Sequence, residues 1–171
     1  VTAGRRKAEK VVVVGLDGLE PKVVAPMLAS GELPNLAKLA ARGGFARVAT
    51  TSPAQTPVAW STFATGTNPG GHGIFDFIRR DPQTYRPDLA LNRYERKSAW
   101  LPPKAVNLRR GTPVWDLLAD GGVPSTVLRC PCTYPPPLGR GRVLAGVGVP
   151  GLPGGLGPPT LFSTAADLAP R

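Results

Sequence analysis

Lys10-Val-Val-Val-Val14-Gly-Leu-Asp17-Gly18 is the stretch on which the reading of this chain turns. Four consecutive β-branched residues, Val11 to Val14, lead into Gly15. An unbroken apolar run bounded by turn formers predicts a strand buried on both faces of a parallel sheet. Gly15-Leu16-Asp17-Gly18 then predicts a tight turn, with Asp17 just past the C-terminal end of the strand. Ligands of open α/β sheets bind along that edge, so Asp17 is a candidate site residue as well as a turn former.

Downstream, Pro21 to Ser30 spaces Val23, Val24, Met27 and Leu28 as a helix, which Pro26 is expected to kink or split. Pro34 to Arg42 sets Leu36, Leu39 and Ala40 on one helical face and stops at Gly43-Gly44. Phe45 to Thr50 predicts a short strand. A third helix takes Thr56 as its N-cap and Pro57 as its first helical residue, and continues through Val58, Trp60, Phe63 and Ala64 to Gly66. The glycine-rich turn from Thr67 to Gly73 lacks the Gly-x-x-x-x-Gly-Lys-Ser/Thr pattern, which excludes a P-loop.

The segment 79–110, from Arg79 to Arg110, is polar and carries Pro82, Pro87, Pro102 and Pro103, so an irregular surface excursion inserted into the domain is expected there. Its basic content would suit an anionic substrate, although a solvated surface is the plainer explanation. Thr112-Pro113 repeats the cap-plus-proline device ahead of a helix over Val114 to Leu118, with Gly121-Gly122 as its stop. Ser125 to Arg129 and Arg142 to Val147 read as further strands. Residues 150–171 are too rich in Pro and Gly for regular structure, and residues 1–9 read as a disordered leader. The alternation of strands and helices argues an α/β domain.

Composition narrows the partners. The chain has 171 residues, enough for one domain, and is 42% apolar, but its 21 Gly and 21 Pro imply short elements and much loop. The net charge is +10, yet the basic residues fall in small groups, such as Arg5 to Lys7 and Arg93 to Lys97, without interleaved aromatics. No nucleic-acid partner is expected on that pattern. No apolar run reaches the ~18 residues of a membrane span, no signal peptide is visible, and the compartment stays open with a lean to the cytoplasm. Cys130 and Cys132 form a lone Cys-Pro-Cys far in sequence from the single histidine, His72. Two structural thiols are expected, not a zinc site.

Thr-Pro at a helix start is ordinary capping by itself. Asp17 gives Thr56 a second meaning, because a threonine hydroxyl is a poor nucleophile until a base or a metal draws off its proton, and a carboxylate can hold a hard cation. The start of a helix also favours an anion docked there.

Four segments in order carry a resemblance: Val-Gly-Leu-Asp-Gly-Leu (14–19), Leu-Pro-Asn-Leu-Ala-Lys-Leu (33–39), Thr-Pro-Val-Ala-Trp-Ser-Thr-Phe-Ala-Thr-Gly (56–66) and Asn-Pro-Gly-Gly-His-Gly-Ile-Phe-Asp-Phe (68–77). Together they resemble the type I phosphodiesterase/nucleotide pyrophosphatase branch of the alkaline phosphatase superfamily, closely from Val11 to Phe77. Thr-Tyr-Pro-Pro (133–136) and Gly-Val-Gly-Val-Pro (146–150) are similar to its later segments.

The resemblance implies part of an alkaline-phosphatase-like three-layer sandwich with a mostly parallel sheet. It implies a hydrolase of small-molecule phosphate esters that works through a phosphothreonine, with two divalent metal ions, usually zinc. Asp17 would ligate one metal, and Thr56 would touch that metal and attack phosphorus. Tyr134 is a candidate for the substrate pocket, His72 for a structural hydrogen-bonding role, and Trp60 for packing.

The pattern departs from the family in one place: Ala59 stands where nucleotide pyrophosphatases place an asparagine that contacts the phosphoryl group, so nucleotide specificity is in doubt. Other branches of the superfamily, sulfatases included, share the spacing from Thr56 to Thr65-Gly66, but sulfatases begin the helix with Cys or Ser in a Cys-x-Pro-x-Arg setting that Thr56 to Trp60 lacks; phosphoglycerate mutase-like enzymes stay open. One histidine cannot supply a two-metal site, so the chain is expected to be the N-terminal part of the enzyme, inactive alone. A non-catalytic α/β module that binds an anionic ligand is the rival from another class.

Overall fold

The computed structural model describes residues 9–96, 98–101, 103–136 and 141–146. The expected strand at Val11 to Val14 is not formed; all four valines are extended coil, between 66% and 79% exposed. β-Branched residues favour a strand because they pack against cross-strand neighbours, and among the described residues this run has none. The same correction applies to Phe45 to Thr50, which is coil with an exposed Val48.

The helices follow their sequence signals closely. Helix α1 (Pro21–Ala29) begins with the Glu20 carboxylate accepting from the backbone N–H of Lys22 at 3.0 Å and buries Val24. Pro26 stands inside α1 without splitting it, since a proline there removes one backbone bond from a helix held at both ends. Helix α2 (Pro34–Gly43) closes on Gly44 at φ 97°, a left-handed backbone suited to glycine, but buries no residue. Helix α3 (Thr56–Thr65) buries Pro57, Val58, Ser61 and Ala64 and ends on Gly66, whose N–H donates to the Thr62 carbonyl. The short α4 (Pro69–His72) is capped by the Asn68 side chain, and α5 (Val114–Asp120) buries Trp115.

The segment 79–110 is not irregular. Strands β1 (Ile78–Arg80) and β2 (Pro87–Leu89) form one antiparallel pair, and β3 (Asn92–Glu95) and β4 (Lys104–Asn107) form another. Three of its prolines sit where a ladder tolerates them: Pro87 opens β2, and Pro82 and Pro103 lie outside the strands, while Pro102 lies outside the described residues. Arg79 and Asp88 face each other across the first pair at 2.7 Å, a half-exposed ion pair of small worth.

Strands β5 (Thr126–Leu128) and β6 (Arg142–Leu144) pair in parallel, as the sequence leads one to expect; Val147 lies outside the described residues, as do residues 1–8 and 150–171. The architecture is therefore mixed α/β, with three two-stranded sheets among the described residues, of which one is parallel.

Two apolar clusters hold these pieces. Ala64, Trp115 and Cys130 form one, with Trp60, Val127 and Val143 packed on it, so that it joins α3, α5 and the parallel pair. Ile74, Leu91 and Cys132 form the other, with Leu108, and this anchors the second hairpin. Full burial of such side chains stabilises by about 1.5–3 kcal/mol each, which is why the second hairpin belongs to the fold and not to a detached excursion. No helix among the described residues is long and apolar enough to cross a membrane.

Candidate functional site

Thr56 is the first residue of α3 and not its cap. The cap is Gln55, in extended backbone at φ −121° and ψ 144°, with no side-chain cap bond. Both Thr56 and Pro57 fit the first turn, so the helix starts one residue earlier than the Thr-Pro signal suggests; α5 shifts the other way, with Pro113 and not Thr112 as its cap. This shift decides what the hydroxyl does. A cap side chain accepts from the helix's own N–H groups, whereas Thr56 donates its Oγ1–H to Asp17 Oδ2 at 3.1 Å.

Asp17 reaches that position from the turn it shares with Gly18, which takes φ 69°. Its other oxygen, Oδ1, accepts from Trp60 Nε1–H at 3.2 Å. Thr56 and Trp60 are four residues apart and share one face of α3, so the helix presents two donors to one carboxylate. Asp17 is exposed; Thr56 and Trp60 are half-buried.

Gly15 makes room for this arrangement. A Cβ there would lie 2.9 Å from Trp60 Cζ3 and 3.2 Å from Cζ2, and closer still to Cη2. Gly15→Ala is expected to push the ring aside and to cost about 1–3 kcal/mol as overpacking. A lower midpoint in urea unfolding would register this, and an unchanged midpoint would contradict it.

His72 is fully buried. Its Nδ1 accepts from the Ile74 N–H at 3.1 Å, so the proton sits on Nε2, which donates to Thr62 Oγ1 at 2.9 Å. Burial first, and then the charges of Arg109 and Arg110, hold the imidazole below its ordinary pKa and keep it neutral. With both nitrogens engaged, His72 organises the turn after α3 and has no lone pair to give a metal.

The two cysteines are free and buried. Burial raises the Cys130 thiol and pushes Cys132 up to about 11, so both stay protonated at neutral pH. Tyr134 is half-buried and directed to the second hairpin: its carbonyl accepts from Asn107 Nδ2 at 3.0 Å, and its phenol lies by Tyr94. The structure thus joins Asp17 to Thr56, while the interactions of Tyr134 run to β3 and β4.

The start of α3 offers an anion fewer donors than a helix N-terminus usually does. Pro57 has no N–H, and those of Val58 and Ala59 both donate to the Gln55 carbonyl at 3.0 and 2.9 Å. Sequence reasoning expects helix N–H groups to grip a phosphoryl oxygen; of the groups that open α3, the N–H of Thr56 itself is the one without a partner among the described residues. That N–H and the favourable dipole remain for an anion.

The donor chemistry suits a cation in part. A carboxylate and a hydroxyl side by side are hard oxygen ligands, but zinc takes three or four protein ligands. Among the described residues, no group of three or more His, Cys, Asp or Glu side chains is placed to hold a metal. Asp17 and Thr56 fit one side of a metal site that the described residues do not complete.

Residues 11–150 match the family model of type I phosphodiesterase / nucleotide pyrophosphatase, and the chain belongs to that family. The match spans the Asp17 turn, α3 and the parallel strand pair. No curated protein and no solved structure matches the chain.

Two site residues escape the sequence. Trp60 reads as core because its ring is apolar, although its place one turn after Thr56 puts its N–H on the same face. Gly15 reads only as a turn former, since its need for open space comes from a ring 45 positions away.

Proposed function

We propose that this chain contributes the nucleophile of a metal-dependent phosphate ester hydrolase of the phosphodiesterase or nucleotide pyrophosphatase type. One observation carries the reading: within a chain of that family, the hydroxyl that opens α3 is bonded to the Asp17 carboxylate across 39 positions of sequence. A capping threonine has no use for such a partner.

Asp17 orients Thr56 Oγ1 and takes up the polarity of its O–H bond. Oγ1 then bonds to phosphorus as the bond from phosphorus to the leaving oxygen breaks on the opposite side; the hydroxyl proton passes to Asp17 and on to solvent, and the departing alkoxide takes a proton from water. Water later cleaves the phosphothreonine and restores the hydroxyl. Two divalent metals, zinc by the family resemblance, would supply charge neutralisation on the phosphoryl group when bound. Asp17 and Thr56 would stand among their ligands, with the rest from residues other than those described.

Tyr134 remains a proposed substrate contact at the rim of such a site, and the finer fold we infer is part of an alkaline-phosphatase-like three-layer sandwich with a mostly parallel sheet. Ala59, a methyl where an amide would grip the phosphoryl group, favours a general phosphoesterase over a nucleotide-specific one.

The test is hydrolysis of a chromogenic phosphodiester by the whole protein that carries this chain. Activity is expected with zinc or manganese, lost on chelation and restored by adding the metal back. Absence of hydrolysis with either metal, or a rate indifferent to chelator, would overturn the proposal.

A further inference from the structure

We propose that Trp60 is a positioning residue for Asp17 and, through it, for Thr56. The proposal rests on the hydrolase reading above and extends it to a side chain that the family pattern leaves as packing.

An exposed carboxylate turns about two side-chain bonds, and the single bond from Thr56 to Oδ2 leaves the group free to pivot on that contact. The indole N–H on Oδ1 removes the freedom, since two donors on two oxygens fix the carboxylate plane. An indole is well chosen for this work. It donates once, carries no charge and accepts nothing, so the carboxylate keeps its full charge and an unused lone pair on each oxygen. A lysine or arginine in the same place would neutralise the charge that a cation or a proton needs.

The donor is itself held fast. The Trp60 ring packs on the cluster of Ala64, Trp115 and Cys130, and meets Phe63 edge to face at 5.7 Å and 80°. The bare backbone of Gly15 closes the third side. A residue that only filled space would not require its N–H to meet a carboxylate, as Trp115 shows: it lies in the same cluster at 4% exposure, and its Nε1 has no partner among the described residues.

Trp60→Phe keeps the ring and deletes the donor, and Trp115→Phe is the packing control. In the metal-loaded whole protein, Trp60→Phe is expected to lower kcat by about 10- to 100-fold with KM little changed, the range found for groups that orient a ligand. Trp115→Phe is expected to keep the wild-type kcat. In an Asp17→Ala background, Trp60→Phe should cost nothing further, because its effect passes through the missing carboxylate.

A readout without turnover accompanies these: the Trp60 indole N–H resonance in a 15N-labelled sample should move when Asp17 becomes alanine. Wild-type kcat in Trp60→Phe while Thr56→Ala is inactive would overturn the proposal, as would an equal loss with and without Asp17. A failed hydrolase reading shows differently, as Thr56→Ala retaining the wild-type rate. The indole resonance then decides alone: a shift upholds the link from Trp60 to Asp17, and no shift overturns it.

Discussion

Thr56→Ala is expected to lower phosphodiester hydrolysis by at least about 10³-fold, the scale on which deleting a covalent nucleophile acts. The fold should survive. Thr56 is not the α3 cap, so the substitution forfeits no capping bond, and its one side-chain hydrogen bond runs to an exposed carboxylate. Such a bond contributes about 0.5–1.5 kcal/mol, and water replaces the lost partner of Asp17. Circular dichroism and the unfolding midpoint should therefore stay near wild type while the rate collapses. Thr56→Ser, which keeps a hydroxyl at the same helix position, should retain part of the activity. A Thr56→Ala protein with the wild-type rate would remove the nucleophile assignment outright.

Asp17→Ala should be the second severe loss, at about a hundredfold or more, because one carboxylate serves as orienter of Thr56, acceptor for its proton and proposed metal ligand. Its stability cost is again small. The two donors it leaves behind, Thr56 Oγ1 and Trp60 Nε1, lie at a surface that water reaches. Asp17→Asn divides the roles: it keeps the shape and the acceptor oxygen but gives up the charge. If Asp17→Asn matched wild type in both rate and metal requirement, the carboxylate would be no more than a turn former beside Gly18.

The pair Asp17 and Thr56 was legible in the sequence because each is announced by a local rule, the turn after a β-branched run and the Thr-Pro at a helix start. That they meet was legible only from the ordered family segments. The four longer helices were readable to within about two residues, since a helix is held by bonds four positions apart and its limits are set by nearby Pro and Gly, whereas the single turn of α4 read only as part of a glycine-rich turn. Strands were less so. Val11 to Val14 has the composition of a buried strand, but a strand exists only with a partner, and composition does not reveal one.

The reverse error fell on 79–110, where three- and four-residue strands pair with partners up to 15 positions away, as between Asn92 and Asn107. Prolines disfavour strands on average, but Pro87 stands at the first residue of β2 and Pro82 and Pro103 lie outside the strands. Trp60 was missed for a third reason. Periodicity records that a residue is apolar and lies on the buried face, but not the direction of its one polar atom.

Cys130 and Cys132 are two residues apart, yet each belongs to a different apolar cluster. The Cys132 sulfur also meets the Pro57 carbonyl at 3.8 Å, in the turn that presents Thr56, and Thr133 Oγ1 donates to the Cys130 carbonyl at 2.7 Å while accepting from the Gly146 N–H at 3.1 Å. The Cys-Pro-Cys segment therefore works as a rivet. It clamps the hairpin side of the molecule to the helix side, and its shank ends under the first turn of α3. The residue that follows Thr56 is thus held from below by a sulfur 75 positions further along the chain.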